Sequence, residues 1–377
     1  MVLEIVWLAF LGSSAIQFIY LLVVFGRFVY FYKVTKTVSS DLENKEGVTV
    51  VVAARNEEKH LSELLPLLAE QDYPNFEILI VNDRSTDGTR DLLEKMLDVY
   101  PQLRTVTIKY TPRHVTAKKY ALTLGIKTAK YDIILLTDAD CRPASKRWIQ
   151  QMTHPLRTSD KTIVLGHGGY YRHSGLLNRL IQYETLFTAV QLFSFAVWKA
   201  PFMGVGRNLC YRKAFFMEKK AFRGMWNING GDDDLFVNRH ATATNTAIVV
   251  GPKSITLSTP KKDWAAYFVQ KKRHFHAGKH YAFKDKLKLG GFALSQLVFW
   301  FSALFLLIGS SDWEPIAMVL GLILARAAVH SSVLAIAKKK LEGIGNVYGF
   351  MFFDLVYMVY FWVVGTNGYL SKTVKWK

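Results

Sequence analysis

Cysteine and acidic residues are scarce in this sequence. Two cysteines occur in 377 residues, which excludes a disulfide framework and is typical of a reducing compartment. Thirty acidic residues stand against 48 basic ones, giving a formal charge of +18. Such a balance is found in proteins that bind nucleic acid, anionic membrane surfaces or phosphorylated ligands. Zinc-finger spacing and RNA-binding signatures are missing, so we expect no nucleic acid among its partners.

Long apolar runs lie toward both ends of the chain. Residues 2–25 are nearly all apolar, and about twenty such residues span a bilayer. The run begins with the acidic Glu4 and continues into an aromatic, basic stretch, which predicts an uncleaved helix (domain 1–33) rather than a signal peptide. Basic residues follow it and place its C-terminal end in the cytoplasm: Arg27, Lys33 and Lys36.

Three further spans are predicted in the C-terminal region, 288–377. They cover 290–309, 315–337 and 347–365, so the whole chain is expected to be a multi-pass protein of the cell (inner) membrane. Four spans would put the C-terminus outside, although the positive-inside rule favours the cytoplasm for the basic residues there: Lys372, Lys375 and Lys377. The last span is therefore expected to bend back or to lie partly at the interface.

The middle of the chain, 47–287, follows a polar linker at 37–47 and alternates strands with helices. Apolar runs predict strands at 48–54, 76–81, 104–110 and 133–136, and helices are predicted between them at 58–71, 90–100 and 116–129. This alternation indicates right-handed βαβ units, an α/β fold and a mostly parallel sheet in the cytoplasm. The polar clusters that end the four strands should gather at one edge of the sheet: Arg55, Asp83, Tyr110 and Asp138.

Two carboxylates follow the last of these strands. Asp138 and Asp140 stand two residues apart, which places both on one side of an extended chain, and Pro143 is expected to end the strand and start a helix. Adjacent like charges repel unless a cation compensates them, and oxygen ligands of this kind suit Mg²⁺ or Mn²⁺. Taken alone, the pair is equally compatible with a solvated acidic turn.

The second half of this domain carries four less regular features. An aromatic helix at 178–198 is interrupted by charges, which predicts a position at the membrane surface. Glycines at 204–213, around Arg207, would let a ligand approach the backbone. Asp232, Asp233 and Asp234 open a predicted helix. A basic, aromatic helix at 264–281 is, by itself, also compatible with a patch that binds anionic lipid.

Together these motifs resemble the membrane-bound family 2 glycosyltransferases of GT-A fold, and distantly the catalytic domains of cellulose and hyaluronan synthases. The resemblance covers about 46–285. The matching segments are Val-Val-Ala-Ala-Arg-Asn-Glu at 51–57, Asn-Asp-Arg-Ser-Thr-Asp-Gly at 82–88, Lys118 with 121–125, Thr-Asp-Ala-Asp at 137–140, Gly-Asp-Asp-Asp-Leu at 231–235 and Gln-Lys-Lys-Arg-His at 270–274.

The resemblance implies a role for each matching residue. Nucleotide-sugar-binding residues would be Ala54, Arg55, Glu57, Asp83, Lys118, Asp138, Gln270 and Arg273. Asp138 and Asp140 match the motif that holds the metal, Asp233 matches the general base, and Arg273 belongs to a motif that closes over the diphosphate. One base and no second nucleophilic carboxylate imply a single displacement with inversion.

Two positions depart from the family pattern. His274 stands where the family has Trp, a residue that helps hold the growing chain in processive synthases, so a polymer synthase is disfavoured. Asp232 replaces Glu, which leaves Asp232 as an alternative base.

Three readings follow from the resemblance. The first is transfer from a nucleoside diphosphate sugar, expected to be a UDP-sugar, to a membrane-associated, lipid-linked or amphiphilic acceptor. The second is a processive polysaccharide synthase that extrudes polymer through its own helices, and the third is a non-enzymatic scaffold or transporter with a degenerate nucleotide domain.

Three polar residues lie inside the predicted spans. Arg326 and His330 are four residues apart on one helix face, and Asp354 lies at a comparable depth on the following helix. Charges at a span centre usually find partners inside the bundle. We therefore predict that Asp354 pairs with Arg326 or His330 and joins the two helices. A polar path for an acceptor headgroup is the alternative.

Overall fold

The computed structural model describes residues 1–35, 46–343 and 349–371. Most of the predicted linker lies outside these ranges, as do the first residues of the last predicted span. The basic residues Lys36, Lys372, Lys375 and Lys377 also lie outside the described residues.

A mixed sheet forms the centre of the domain. Its seven strands, among the described residues, lie in the order β3-β2-β1-β4-β8-β6-β9. The strands are β1 Val48–Ala54, β2 Phe76–Asp83, β3 Leu103–Ile108, β4 Ile133–Leu136, β6 Ile163–Leu165, β8 Leu209–Arg212 and β9 Thr246–Ile248. The helices around it are α2 Glu58–Ala69, α3 Thr89–Leu97, α4 Ala117–Thr128, α5 Trp148–Thr158, α7 Lys213–Glu218 and α8 Asp234–His240.

The first four strands confirm the predicted parallel arrangement. Val48 lies opposite Phe76 of β2 and Ile133 of β4, and all of these pairs are parallel. Alternate residues of β1 enter the cores on opposite faces of the sheet: Val50 and Val52 on one face and Val51 on the other. Burial on both faces is why these strands read as continuous apolar runs, and their carboxyl ends meet at one edge as expected.

Pro143 does not start a helix. It ends the short strand β5 (Cys141–Pro143), which pairs antiparallel with β10 (Thr256–Ser258), and β7 (Gly168–Tyr170) completes a three-stranded sheet. The next helix, α5, begins at Trp148. The prediction was wrong because the partner strand lies far along the chain, where local sequence gives no sign of it.

Five helices among the described residues are long and apolar enough to cross a membrane: α1 Val2–Phe31, α6 Leu176–Val197, α10 Phe283–Gly309, α11 Trp313–Glu342 and α12 Phe350–Leu370. Four correspond to the predicted spans. The fifth, α6, has 14 buried residues among its 22, because it packs between the sheet and the membrane helices. Its charged Glu184 points into the protein, where it meets Lys271 at 2.8 Å.

The last apolar helix, α12, packs along α9 (Trp264–Gly278), the basic helix of the α/β domain. An added Cβ at Gly368 would lie 2.7 Å from Cβ of Phe275 in α9. At the end of α12, the carbonyl oxygen of Ser371 contacts Nδ1 of His276 at 3.2 Å and accepts a hydrogen bond from Lys279 at 3.2 Å. The end of α12 therefore lies against α9, the basic helix of the α/β domain.

A buried polar cluster, the helix cluster, joins the five apolar helices, since Tyr183 on α6 also donates to Asp354 at 3.3 Å. Oδ2 of Asp354 lies 2.5 Å from Nη1 of Arg326, and Oδ1 lies 3.1 Å from Nδ1 of His330. Arg326 also donates to Oε1 of Gln17 on α1, and Gln296 on α10 donates to Asp354 at 2.8 Å. The predicted pairing of Asp354 is therefore present, with both candidate partners at once.

Candidate active site

One cavity of about 1350 Å³ opens at the carboxyl edge of the parallel strands. It contains all the sequence-predicted site residues: Ala54, Arg55, Glu57, Asp83, Lys118, Asp138, Asp140, Arg207, Asp232, Asp233, Gln270, Arg273 and His274. These residues come from seven segments of the chain, between positions 54 and 274. Their convergence agrees with the rule that open α/β sheets bind ligands beyond the carboxyl ends of their strands.

The loops after β1 and β2 are fastened together by Asn56. Its backbone N–H donates to Oγ of Ser85 at 2.9 Å, and its side-chain oxygen accepts from the N–H of Thr86 at 2.8 Å. Asn56 adopts a φ of 57°, a left-handed conformation that Asn tolerates better than most residues. This contact holds Asp83 and Arg55 at neighbouring positions on the cavity wall.

Asp138 and Asp140 lie in the turn between β4 and β5, not in an extended strand, yet they still converge. One oxygen of each and Sγ of Cys141 lie within 4.8 Å of one another. The Cys141 thiol is buried and lies 2.9 Å from Oγ of Ser258, and burial followed by the nearby Asp140 charge raises its pKa. A protonated thiol is a poor ligand for a hard cation, so the two carboxylates are the groups that fit Mg²⁺ or Mn²⁺.

Lys118 on α4 connects these carboxylates to the acidic run before α8. Its ammonium lies 3.0 Å from Asp138 and 3.1 Å from Asp232. Burial lowers the pKa of Lys118, but the surrounding carboxylates outweigh it and hold the pKa well above its usual value. We call Lys118, Asp138, Asp232, Asp233 and Asp234 the acidic cluster.

The three consecutive aspartates have different surroundings. Asp233 caps α8, accepting from the N–H of Asp234 at 2.8 Å and from the N–H of Gly206 at 2.6 Å. Burial and the charge of Asp232 raise the pKa of Asp233. Burial opposes ionisation of Asp232 as well, but Lys118 and Lys119 lower its pKa. Burial and the Asp233 charge raise the pKa of Asp234 to about 8, against a hydrogen bond from Tyr281.

Helix α9 brings Gln270, Arg273 and His274 to the opposite wall of the cavity. Burial lowers the pKa of Arg273 while Asp232 and Asp138 oppose that shift, which places the guanidinium in the field of the acidic cluster. Burial, together with Lys271 and Arg273, holds the pKa of His274 well below its usual value, so the imidazole is neutral near pH 7.

Residues 49–218 match the family model described as Glycosyl transferase family 2. This domain belongs to glycosyltransferase family 2. An uncharacterized glycosyltransferase of Haemophilus influenzae is 25% identical over 175 residues, covering 46% of this chain and 50% of the relative. A poly-beta-1,6-N-acetyl-D-glucosamine synthase of Staphylococcus aureus is 26% identical over 175 residues, covering 43% of this chain and 41% of the relative. The matched segment thus spans half or less of these relatives.

A solved structure shares the fold of the glycosyltransferase domain and its flanking helices. It is a mannosyltransferase of Pyrobaculum calidifontis in complex with GDP-Man and Mn²⁺, with a TM-score of 0.61 and 17% sequence identity. The similarity covers 96% of this chain and 99% of that one. The α/β domain is therefore a GT-A domain, and its arrangement with apolar flanking helices has a precedent.

Tyr170 and Gly168 of the glycosyltransferase domain were missed by sequence reasoning. The Arg207 guanidinium lies 4.4 Å from the centre of the Tyr170 ring and donates to its hydroxyl at 3.0 Å, and Gln270 donates to the same hydroxyl at 3.4 Å. A Cβ at Gly168 would lie 2.3 Å from Nε of Arg207. Tyr170 therefore links Arg207 to α9, and only glycine at 168 leaves room for the arginine.

Lys119, the neighbour of Lys118 in the sequence, was given no role by sequence reasoning. Its side chain is buried on α4, and its ammonium donates to the carbonyl oxygens of Ile228 at 2.5 Å and of Gly230. These carbonyls belong to the loop that leads into the acidic run. Lys118 therefore holds the acidic run through the side chain of Asp232, and Lys119 holds it through the backbone carbonyls of Ile228 and Gly230. The pair of adjacent lysines is the feature of the sequence that could have indicated this role.

Proposed function

We propose that this chain transfers a sugar, with inversion, from a nucleoside diphosphate sugar to a membrane-associated acceptor. One observation carries the proposal: Lys118 joins the carboxylates suited to a metal with the acidic run, in the cavity that α9 covers with Arg273. A displacement at the anomeric carbon requires a metal site, a cation near the leaving diphosphate and a base, and the cavity offers a candidate for each.

Asp138 and Asp140 would hold Mg²⁺ or Mn²⁺, which would supply charge neutralisation to the departing diphosphate. Arg273 adds a fixed cation from the α9 side, and such preorganised charge is worth most where charge develops in the transition state. Ala54, Arg55, Glu57 and Asp83 would contact the nucleoside, because they line the cavity where β1 and β2 end.

Asp233 is proposed as the base that removes the acceptor proton. Two backbone N–H groups fix its carboxylate, and its raised pKa gives it more basicity than an ordinary aspartate has. Asp232 is the alternative, since it also faces the cavity, but its ion pair with Lys118 favours the ionised form and weakens it as a base. General-base catalysis contributes about 10²–10⁴-fold.

The donor is proposed to be a uridine diphosphate sugar. The Staphylococcus relative is named for a polymer of N-acetyl-glucosamine, whereas the Pyrobaculum structure holds GDP-Man, so GDP is the competing nucleotide. Calorimetric titration with UDP and with GDP in Mn²⁺ separates them. We expect tighter binding of UDP, loss of that affinity in EDTA, and weak binding by Asp140→Ala; equal affinity in EDTA would contradict the metal assignment.

The acceptor is proposed to be lipid-linked or amphiphilic, since the cavity continues between apolar helices. Because the Staphylococcus relative is named as a polymer synthase, a processive polysaccharide synthase is the second candidate. The test is product analysis after incubation of the purified chain with UDP-sugar and membrane lipid extract. Radiolabel that partitions into organic solvent supports a lipid product, and recovery of long polymer alone supports the synthase.

A further inference from the structure

The C-terminal end of α11 reaches the α/β domain at a place apart from both the acidic cluster and the helix cluster. Glu342 is the last residue of this helix, and Gly343 ends it in a left-handed conformation with a φ of 77°. Glycine is favoured in that conformation at a helix end. A Cβ at Gly343 would lie 3.7 Å from the Pro252 side chain, so the helix end packs against the segment before β10. A charged residue therefore stands where an apolar helix meets the domain.

Glu342 contacts residues on both sides of β7, the strand Gly168–Tyr170. Its Oε2 accepts a hydrogen bond at 3.0 Å from Nη2 of Arg172, two residues after the strand. Its Oε1 lies 3.6 Å from Nε2 of His167, directly before the strand, a close polar contact that is too long for a hydrogen bond. The His167 and Glu342 side chains are 3% and 14% exposed. We call Glu342, His167 and Arg172 the β7 clasp, because one largely buried carboxylate contacts both ends of the strand.

The strand β7 has few packing contacts of its own to fix its position. Among the described strands it pairs with β10 alone, and two of its three residues are glycines, which weaken a strand because they bring no side chain to pack. Asn208 donates to the carbonyl oxygen of His167 at 2.7 Å, and Gln182 of α6 donates to that of Tyr170 at 3.0 Å. The β7 clasp adds to these two bonds the contact that comes from α11.

The same strand carries the contacts that hold Arg207 in the cavity wall. Nη2 of Arg207 donates to the carbonyl oxygen of Gly168 at 2.5 Å, and Nη1 donates to the Tyr170 hydroxyl at 3.0 Å. Arg207 follows Gly206, whose N–H donates to the candidate base Asp233 at 2.6 Å. A shift of β7 would therefore displace a cation and a backbone donor next to the reaction site.

We propose that Glu342 is a positioning residue for transfer, which fixes β7 and, through β7, fixes Arg207 beside the candidate base. The rate of transfer then depends on where the C-terminal end of α11 lies. This proposal rests on the proposed function, because Arg207 and the base belong to the same cavity. The residues proposed to hold the nucleoside and the metal lie on other segments, so nucleotide affinity should not depend on Glu342. A clasp that only anchored α11 would contribute stability and leave kcat unchanged.

The test compares variants of the full chain in phosphatidylcholine nanodiscs. Glu342→Gln keeps the size of the side chain and removes its charge. Backbone hydrogen exchange in peptides that cover β7 should become about tenfold faster, equivalent to losing one hydrogen bond to a charged group. Release of UDP from UDP-sugars with membrane lipid extract should show a kcat reduced about fivefold, because small displacements at a reaction site slow the reaction. Calorimetry with UDP and Mn²⁺ should give the affinity of the parent, which also shows that the variant is folded.

Three further variants serve as controls. Glu342→Asp keeps the charge and should recover part of kcat. Arg172→Gln, at an exposed position outside α11, should change exchange and kcat in the same direction as Glu342→Gln, and it decides the question if Glu342→Gln folds poorly. Glu314→Gln makes the same change at an exposed position in the first turn of α11 and should behave like the parent.

Each outcome bears on a different step of the proposal. Unchanged exchange in β7 shows that Glu342 does not hold the strand and overturns the proposal. Faster exchange with an unaltered kcat makes Glu342 an anchor of α11 and overturns its positioning role, as does a loss of UDP affinity that accounts for the whole kinetic effect. A parent that releases no nucleotide from any UDP- or GDP-sugar refutes the proposed function, and exchange then still decides whether Glu342 holds β7.

Discussion

The acidic cluster and the helix cluster both hold buried carboxylates, but they balance their charge differently. In the helix cluster Asp354 meets Arg326 and His330, and two glutamines add hydrogen bonds. In the acidic cluster Lys118 pairs with Asp138 and Asp232, and burial with the Asp233 charge raises the pKa of Asp234 to about 8. Paired buried charge can join helices permanently, whereas carboxylates that crowd one another need a proton or a further cation. The comparison indicates which cluster is built for structure and which for a ligand.

The largest effect is expected from removing a base in the unbalanced cluster. Asp233→Asn keeps the shape and the acceptor oxygen that caps α8 but loses basicity, so turnover should fall at least roughly a hundredfold. UDP binding should stay near that of the parent, whereas thermal stability should fall modestly, because an amide cannot accept from both backbone N–H groups that now bond to the two carboxylate oxygens. Steady-state kinetics measure turnover, calorimetry measures UDP binding, and thermal unfolding measures stability. If Asp232→Asn abolishes turnover while Asp233→Asn retains it, the base is Asp232.

Breaking the helix cluster should lower the stability of the protein. Asp354→Leu leaves Arg326 buried without its carboxylate, and breaking such a pair costs about 3–5 kcal/mol. Thermal unfolding of detergent-solubilised protein should show the loss, and adding Arg326→Leu should restore part of it because no uncompensated charge remains. Asp312→Leu, at an exposed position before α11, is the control. A single variant as stable as the parent would show that the pair does not hold the helices together.

An intermediate effect is expected at the ion pair that holds α9 in the cavity wall. Glu184 on α6 pairs with Lys271 at 2.8 Å and accepts from Tyr267, and so holds α9. Glu184→Gln should lower kcat/KM about tenfold, equivalent to one charge-assisted hydrogen bond, by displacing Gln270 and Arg273. Glu184→Asp should recover part of the loss. Unaltered kinetics in Glu184→Gln would mean that other contacts orient α9.

A further effect is a change in the pH dependence of stability. Asp234 has a pKa of about 8 in the folded chain and about 3.9 when unfolded, so between these values the folded state binds one more proton. The unfolding free energy should therefore fall as pH rises from about 4 to about 8. Asp234→Asn stays neutral, so its Tm should decline less between pH 5 and 8. The control Asp160→Asn, at an exposed position, should lose as much Tm over this range as the parent. If the Tm of the parent declines less than that of Asp234→Asn, the assignment of Asp234 is wrong.

Much of the fold could be predicted because its signals are local. The strands at Val48–Ala54 and Ile133–Leu136 have the predicted bounds, since a strand buried on both faces must be apolar throughout. The convergence of Arg55, Asp83 and Asp138 followed from parallel strands that end at one edge, but Tyr110, predicted with them, is exposed and does not line the cavity. The pairing of Asp354 followed from helix spacing and the cost of a lone charge in hydrocarbon.

The remaining features depend on partners that are distant in sequence. β5 exists because β10 lies beside it, the Tyr170 hydroxyl matters because Arg207 and Gln270 reach it, and α6 is buried because helices on both sides cover it. Hydropathy records the length of α12 but not that it lies along α9. A sequence can show that a side chain needs a partner without showing which partner the fold brings.

The position of α12 has a consequence for biosynthesis. Strands β1 to β4 and the acidic run emerge from the ribosome before α12, and domains can begin to fold as they emerge. The cavity wall, however, is completed only when α12 has entered the membrane and its end has reached His276 and Lys279 on α9. A nascent chain would thus form the edge of the sheet before the last wall of the cavity.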